Sequence, residues 1–429
     1  MEDMPEKKQV RKERGRLMEN SRQERIREKR ERIRKQRKRE KAALILSAVL
    51  VVGCLAGVGM LSAAESFSGG RAAQSGNNAD EKAQVSQKEV ETDGTESQQA
   101  DVQSPDQSGQ GKDDSSQSGA AGQEQDTAPV QITVSAAGDC TLGTDVNFDQ
   151  SRSFNAYYNE HGAAYFLQSV KSIFGADDLT IVNMEGTLTE SSERQDKTFA
   201  FKGEPGYTAV LTEGSVEAAN LANNHSRDYG ADSYTDTIQY MEDAGITTFG
   251  YDRTALMDIK GVKVGLTGIY ELAEGMGCED LMIENIDALE EQGAQIIIVS
   301  FHWGTEKENY PDDIQKSLAH SAVDHGADLV LGHHPHVLQG IEKYNGKNIV
   351  YSLGNFCFGG NSNPSDKDTM IFQQTFTIQS GELVADDVTN IIPCSLSSVS
   401  SRNDYQPTPL EGGEKDRVIN KIQEFSSGL

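Results

Sequence analysis

The sequence predicts an α/β domain with at least partly parallel strands, preceded by a single membrane-spanning helix. Three observations predict it. An uncharged run of 23 residues occupies 42–64, short β-branched apolar runs alternate with amphipathic stretches after Val130, and the chemically versatile polar residues sit where the predicted strands end.

Residues 1–41 carry 18 Lys and Arg against 9 Asp and Glu, a local charge of +9 with few apolar side chains. Such a segment buries nothing and is expected to act as a basic cytoplasmic arm. Ala42–Ala64 follows, rich in Leu, Val, Ala and Gly. At about 1.5 Å per residue it spans roughly 35 Å as a helix, enough to cross the hydrocarbon core. A cleaved signal peptide is the competing reading, with Leu61-Ser62-Ala63-Ala64 as a small-residue cleavage site. The long basic flank and an apolar run beyond the usual ~7–15 residues favour a retained anchor. Lys and Arg crowd only the N-terminal flank, so the positive-inside rule puts everything after residue 64 outside the cell.

Residues 65–129 are dominated by Ser, Gln, Gly, Asp, Glu and Ala and read as a disordered acidic stalk. The chain carries −27 in all, so 22 basic and 58 acidic residues remain beyond the anchor, a net −36. That balance excludes a general nucleic-acid binder and requires local cations wherever an anionic polymer is handled. Of five Cys, Cys54 lies in the apolar run; Cys140, Cys278, Cys357 and Cys394 are widely spaced, with no CxxC and no disulfide framework.

From 130 to 395 the pattern is that of one domain. Gln131–Ala137, Leu179–Val182, Val262–Gly268, Gln295–Ser300, Asp328–Leu331 and Asn348–Ser352 read as strands, most of them buried on both faces. Ala163–Phe174, Ala231–Ala244, Ile283–Gln292 and Pro311–His325 read as helices between them. Ile371–Ile378 and Glu382–Ile392 flank Ser380-Gly381 as an antiparallel edge hairpin, and 396–429 reads as a C-terminal tail.

Gly138-Asp139, Asn183-Met184-Glu185-Gly186, Asn223-Asn224-His225, His302-Trp303-Gly304 and Gly332-His333-His334-Pro335-His336 each follow a predicted strand. Ligands of open α/β sheets collect at the carboxyl ends of strands, so five loops are expected to converge on one cleft. Imidazole, carboxylate and amide oxygen together suit Zn²⁺, Mn²⁺ or Fe²⁺. No Ser or Cys is placed with a His and an acid as a nucleophile, which favours a metal-activated water. Singly, most of these motifs have bland readings: Gly-Asp as a turn, Asn as a helix cap, His302 beside Trp303, the one Trp, as a core pair. Three His in four residues at a strand end is harder to ascribe to packing, and an extended backbone would put His334 and His336 on one side. His161, His320 and His325 read as surface or structural.

At these residues the sequence resembles the CapA family of poly-γ-glutamate capsule synthesis proteins, over about Gln131–Phe358. The resemblance rests on the ordered set of those motifs with Leu142-Gly143, Asp228, Gly230, Glu306 and Tyr351-Ser352-Leu353-Gly354-Asn355-Phe356. It implies a calcineurin-like metallophosphoesterase-type sandwich, sheets flanked by helices. It further implies Asp139, Glu185, Asn224, His225, His302, His334 and His336 as ligands of one or two divalent ions, Mn, Zn or Fe. Asn224 orients a substrate oxygen in the alternative reading. His225, His302 and Glu306 are the implied catalytic residues, with Asp228 and Glu306 holding a His in its tautomer. Thr144 stands where the family often has Arg, Asp-x-His is missing from the first strand, and Glu185 replaces an Asp pair. The expected activity is a metal-dependent hydrolase or transferase acting on an anionic cell-surface polymer. A non-catalytic subunit of a capsule synthase complex is the alternative, and a general phosphodiesterase differs from the first only in substrate.

Overall fold

The computed structural model describes residues 128–429. The basic arm, the expected membrane helix Ala42–Ala64 and nearly all of the acidic stalk lie outside the described residues. Among the described residues no helix is long and apolar enough to cross a membrane.

Among the described residues sixteen strands occur in this order: β1 (Val130–Thr141), β2 (Leu179–Met184), β3 (Thr187–Leu188), β4 (Lys202–Gly203), β5 (Ala218–Asn220), β6 (Thr247–Phe249), β7 (Ala255–Ile259), β8 (Val262–Tyr270), β9 (Ile296–His302), β10 (Leu329–His333), β11 (Ile341–Tyr344), β12 (Lys347–Val350), β13 (Asn355–Phe358), β14 (Asp368–Gln379), β15 (Glu382–Ser395) and β16 (Thr408–Pro409). One sheet runs β16-β15-β14-β1-β2-β5-β6, with β13 also paired to β1; the other runs β11-β12-β10-β9-β8-β7. β1, β2, β5 and β6 are mutually parallel, as are β8, β9, β10 and β12, while β14, β7 and β11 add antiparallel neighbours.

Strand alternation builds the layers. Ile296 and Ile298 of β9 and Leu329 and Leu331 of β10 share a core with Ile132, Val134, Leu179, Ile181 and Phe372 of the other sheet. Their sequence neighbours Ile297, Val299 and Val330 point the opposite way, onto Met282, Ile286, Leu289 and Leu318 of the helices Glu279–Glu291 and Asp313–Asp324. On the far side of the first sheet, Val182, Met184 and Ala219 meet Phe154, Phe166, Val210 and Met241 from its own helices. The domain is therefore two mixed sheets face to face with helices outside each, an arrangement consistent with a metallophosphoesterase-like fold. Burial on both faces is why these strands read as continuous apolar runs.

Several boundaries moved. Ala163–Phe174 is not one helix but two short ones, Ala164–Leu167 and Lys171–Phe174, because Val170 sits at φ −114°, ψ −9°, a turn conformation. The third expected helix begins one turn earlier, at Glu279, where Glu279 and Asp280 favour the positive end of the helix dipole. A capping box of Asp312 and Gln315 starts the fourth at Asp313. The hairpin β14–β15 turns at Ser380 and Gly381, both at positive φ, as a two-residue hairpin turn requires. Segment 396–429 is more than an appendage: the helix Gly412–Ser426 places Val418 and Ile422 in the inter-sheet core. Arg417 donates to both oxygens of Asp368 at 2.7 Å, and Lys421 to Asp368 at 2.9 Å.

Candidate metal centre

The parallel strands of both sheets end on the same side, and that rim carries the polar loops. Asp139 lies near the end of β1, Glu185 just past β2, Asn224 and His225 past β5, His302 at the end of β9, and His334 and His336 past β10. Two glycines permit the close approach this needs. A Cβ at Gly138 would stand 1.9 Å from Gly354 O, and one at Gly332 1.9 Å from Tyr351 O. With both absent, Asp139 N donates to Gly354 O (3.0 Å), and Asp139 Oδ2 accepts from His334 N (3.3 Å), tying the two sheets together.

All seven expected ligands meet here. Asp139, Glu185 and His336 present donor atoms within 4.8 Å of one another, as do Glu185, His302 and His334, all of them buried or nearly so. Glu185 belongs to both sets. His225 belongs to neither, yet its Nε2 stands 3.8 Å from Glu185 Oε1, and Asn224 Oδ1 lies 2.7 Å from His302 Nε2.

Glu185 tests whether a cation fits. It is fully buried, and neither carboxylate oxygen has a hydrogen-bond partner. Buried carboxylates are nearly always satisfied, because an unpaired one forfeits its hydration. Around Oε1 stand Nε2 of His225, His302 and His336 at 3.8, 3.9 and 3.8 Å. Those separations are too long for hydrogen bonds and suit donors that share a cation about 2.0–2.2 Å from each. The donor set and the orphaned carboxylate therefore fit a divalent ion.

The electrostatics agree. Burial pushes Glu185 up to about 8, with Asp139, Asp228 and Glu306 adding to the rise and His336 opposing it. Asp139 is pushed up by burial but pulled down further by its hydrogen bond to His336 and the neighbouring imidazoles, so it stays below the usual range. Burial opposes a charge on His336, but Glu185 and Asp139 outweigh it and raise the ring to about 10. Burial, reinforced by other histidines, holds His302 far below the usual imidazole value, and His334 falls to about 4 for the same reasons.

Surrounding side chains orient the donors. Asn183 Nδ2 donates to Asp139 Oδ1 (2.8 Å) and lies 3.2 Å from His302 Nδ1, while its Oδ1 accepts from Asn220 (3.0 Å). Asn355 Oδ1 lies 2.9 Å from His336 Nδ1. Asp228 meets His225 Nδ1 at 2.7 Å, as expected of a group that fixes a tautomer, and Lys197 braces it by donating to Asp228 Oδ1 (2.7 Å) and to Asn224 O (2.9 Å).

Two expectations need correction. Glu306 is exposed and hydrogen-bonds no histidine among the described residues; its charge reaches Glu185 and His336 only through space, and the neighbours of His302 are Asn183 and Asn224. Nor is the His334–His336 loop extended: His334 (φ 94°) and His336 (φ 58°) are left-handed, a conformation that costs about 1–3 kcal/mol at a non-glycine residue. The rings still converge, with centroids 5.5 Å apart. The contributions of Asn183, Asn220, Asn355 and Lys197 were not assigned from sequence. His333, which is not among the expected ligands, is also buried, with Nδ1 3.6 Å from Asp139 Oδ1.

The chain is similar to known capsule synthesis proteins. The family described as "Bacterial capsule synthesis protein PGA_cap" matches residues 133–360, which include every candidate ligand. The PGA biosynthesis protein CapA of Bacillus subtilis is 30% identical over 249 residues, covering 53% of this chain and 63% of that protein. The capsule biosynthesis protein CapA of Bacillus anthracis is 26% identical over 324 residues, 69% of this chain and 74% of that one. A probable polyglutamine synthesis accessory protein of Mycobacterium tuberculosis is 28% identical over 213 residues, 42% and 55% of the two chains. With the family match spanning over half of its length, the chain belongs to the PGA_cap family of bacterial capsule synthesis proteins, the CapA proteins of poly-γ-glutamate capsules.

Proposed function

We propose that this protein is anchored in the cell membrane by Ala42–Ala64, with its N-terminus cytoplasmic and its folded domain outside. There it acts as a metal-dependent hydrolase or transferase on an anionic γ-glutamyl polymer. The observation that carries the catalytic part is Glu185, a buried carboxylate without a hydrogen bond, shared by two donor sets. Asp139, Glu185 and His336 would hold one cation, and Glu185, His302 and His334, with Asn224 alongside, a second. Bound divalent ions supply a water of lowered pKa and polarise the oxygen under attack.

The protein's own groups divide the remaining work. Asp228 holds Nδ1 of His225, leaving Nε2 turned toward the centre, where it can exchange a proton with the reacting group. Asn355 and Asp139 orient His336, and Asn183 and Asn224 bracket His302. The excess of acid beyond residue 64 disfavours a bare polyanion, so neutralisation at the centre is what admits a polymer carboxylate.

The non-catalytic reading is favoured by one observation, the accessory role in the name of the Mycobacterium tuberculosis relative. In that reading the domain guides polymer within a synthase complex, and the basic arm touches a partner or anionic lipid. Metal analysis of full-length protein and of a His334→Ala/His336→Ala variant, with turnover of γ-glutamyl polymer and of phosphodiesters, separates the two. Stoichiometric metal and turnover, both lost in the variant, support the enzyme; metal-free wild-type protein that still sustains capsule assembly rejects it.

A further inference from the structure

Beside the centre stands a row of phenylalanines that the proposed chemistry leaves unused. Its inner members touch the imidazoles: Phe201 lies 4.5 Å from His225 and Phe358 5.3 Å from His336, ring centre to ring centre. Phe201 and Phe358 meet edge to face at 6.4 Å. From Phe201 the row continues outward to Phe148 and Phe199, each 6.4 Å away, and these two stand 5.9 Å apart in a T-shaped pair. Phe199 is 49% exposed and the adjacent loop residue Val146 56%, so the outer end opens to solvent.

This row is built. Phe148 and Phe199 come from different loops, and both loops are tied to Asp145, a fully buried carboxylate. It accepts from Asn147 N (2.9 Å) in one loop and from Ala200 N and Arg194 Nη2 (both 2.7 Å) in the other. Phe201 N in turn donates to Asp228 Oδ2 (2.6 Å), the carboxylate that orients His225, so wall and centre share one frame. Exposed aromatic side chains held rigidly at the mouth of a site bind with little further loss of freedom.

We propose that Phe148, Phe199, Phe201 and Phe358 form a subsite for the aliphatic backbone of a γ-glutamyl chain whose carboxylate or scissile group sits at the metal centre. This rests on the reading of an anionic γ-glutamyl polymer as substrate. The wall offers no hydrogen bond and no charge, so it reads only the methylene-rich face of the chain. Anchoring at one end by the cations and at the other by the wall requires an oligomer, and free glutamate is too short to span both.

The test uses full-length protein in nanodiscs with Mn²⁺, titrated into a fluorescein-labelled γ-glutamyl decamer, with unlabelled glutamate as competitor. Phe199→Ala, at a half-exposed position, is expected to leave the melting temperature and the metal content unchanged and to weaken decamer binding about tenfold, about 1.4 kcal/mol. Phe199→Trp restores it, and the potency of glutamate as competitor is the same in all three proteins. Decamer affinity unchanged in both Phe199→Ala and a Phe148→Ala/Phe199→Ala variant, while His334→Ala abolishes it, overturns the subsite and leaves the metal reading intact. A wild-type protein that holds metal but binds no decamer overturns the subsite together with the choice of substrate.

Discussion

Metal binding at this centre should release protons from Glu185 and His336, whose environments raise both pKa values. Without a cation, Glu185 titrates near 8 and His336 near 10, so both are protonated at neutral pH. A cation takes only the carboxylate and the neutral ring, and both protons must leave. His334, near 4, and His302, held well below the usual imidazole value by burial, are already neutral, and Asp139 is already ionised, so none of them adds to the count. Between pH 6 and 7 the overall affinity should therefore rise up to ~100-fold per pH unit, two protons at 1.36 kcal/mol each or about 2.7 kcal/mol. Above pH 8 only His336 still carries its proton, and the rise slackens toward ~10-fold per unit.

Calorimetric titration of the full-length protein with Mn²⁺, at pH 6, 7 and 8 in buffers of different protonation enthalpy, counts those protons directly. Glu185→Gln should lower the count by one below pH 8. An affinity flat between pH 6 and 8, or the same count in Glu185→Gln, would show that Glu185 does not exchange its proton for a cation.

Four further outcomes are expected. In chelator-treated protein Glu185→Gln should be the more stable form at pH 8, on the order of 2–4 kcal/mol by urea unfolding, with the gap closing near pH 5; a pKa raised by folding contributes stability below ~4.5 that is lost as pH rises through about 8. Asp228→Asn should leave the metal content unchanged and lower turnover by ~100-fold, since it loosens the hold on His225 Nδ1, and Lys197→Met, one bond further out, should lower it by only a few-fold. Arg417→Ala/Lys421→Ala should cost about 1–2 kcal/mol in urea unfolding, discounted because Arg417 is half-exposed. That difference should shrink in acid, since the partners of Asp368 hold its carboxyl below the usual value and its contribution fades as pH falls through that lowered value. Polymer binding should fall only a few-fold between ~50 and ~300 mM salt but vanish with chelator, because surface charge is screened within about 10 Å and the centre is buried.

The centre was legible in the sequence because parallel strands deliver their last residues to one rim, and short apolar runs mark where each strand ends. Asp139, Glu185, His302 and the His333–His336 loop each follow such a run, so their convergence follows from topology alone. What orients them was not legible for a related reason: Asn183 and Asn220 lie inside strands, where an amide looks like an interruption of the core rather than part of a network. Lys197 sits in a loop without periodicity, and only the folded chain brings it to Asp228. The left-handed His334 and His336 were not legible either: His is enriched at positive φ, but that enrichment does not single out which of three neighbouring His adopts it. The C-terminal helix carried an unused signal in Val418, Ile422 and Phe425, spaced by four and three, which is the stripe of a helix packed on one face.

The placement of acid and base across the molecule makes one economical sense. A chain with −36 beyond residue 64 repels an anionic polymer at long range, so attraction has to be local. Locality is what the centre provides: five of the eight histidines, His225, His302, His333, His334 and His336, are gathered at the strand ends around Asp139 and Glu185. Such a cluster is unfavourable alone, with an unpaired carboxylate and two left-handed residues, and nothing in the packing requires it. A fold retains strain and desolvation of this size where a ligand offsets them, and a divalent cation between Glu185 and the surrounding imidazoles would satisfy the orphaned oxygens and the lone pairs of the neutral rings together.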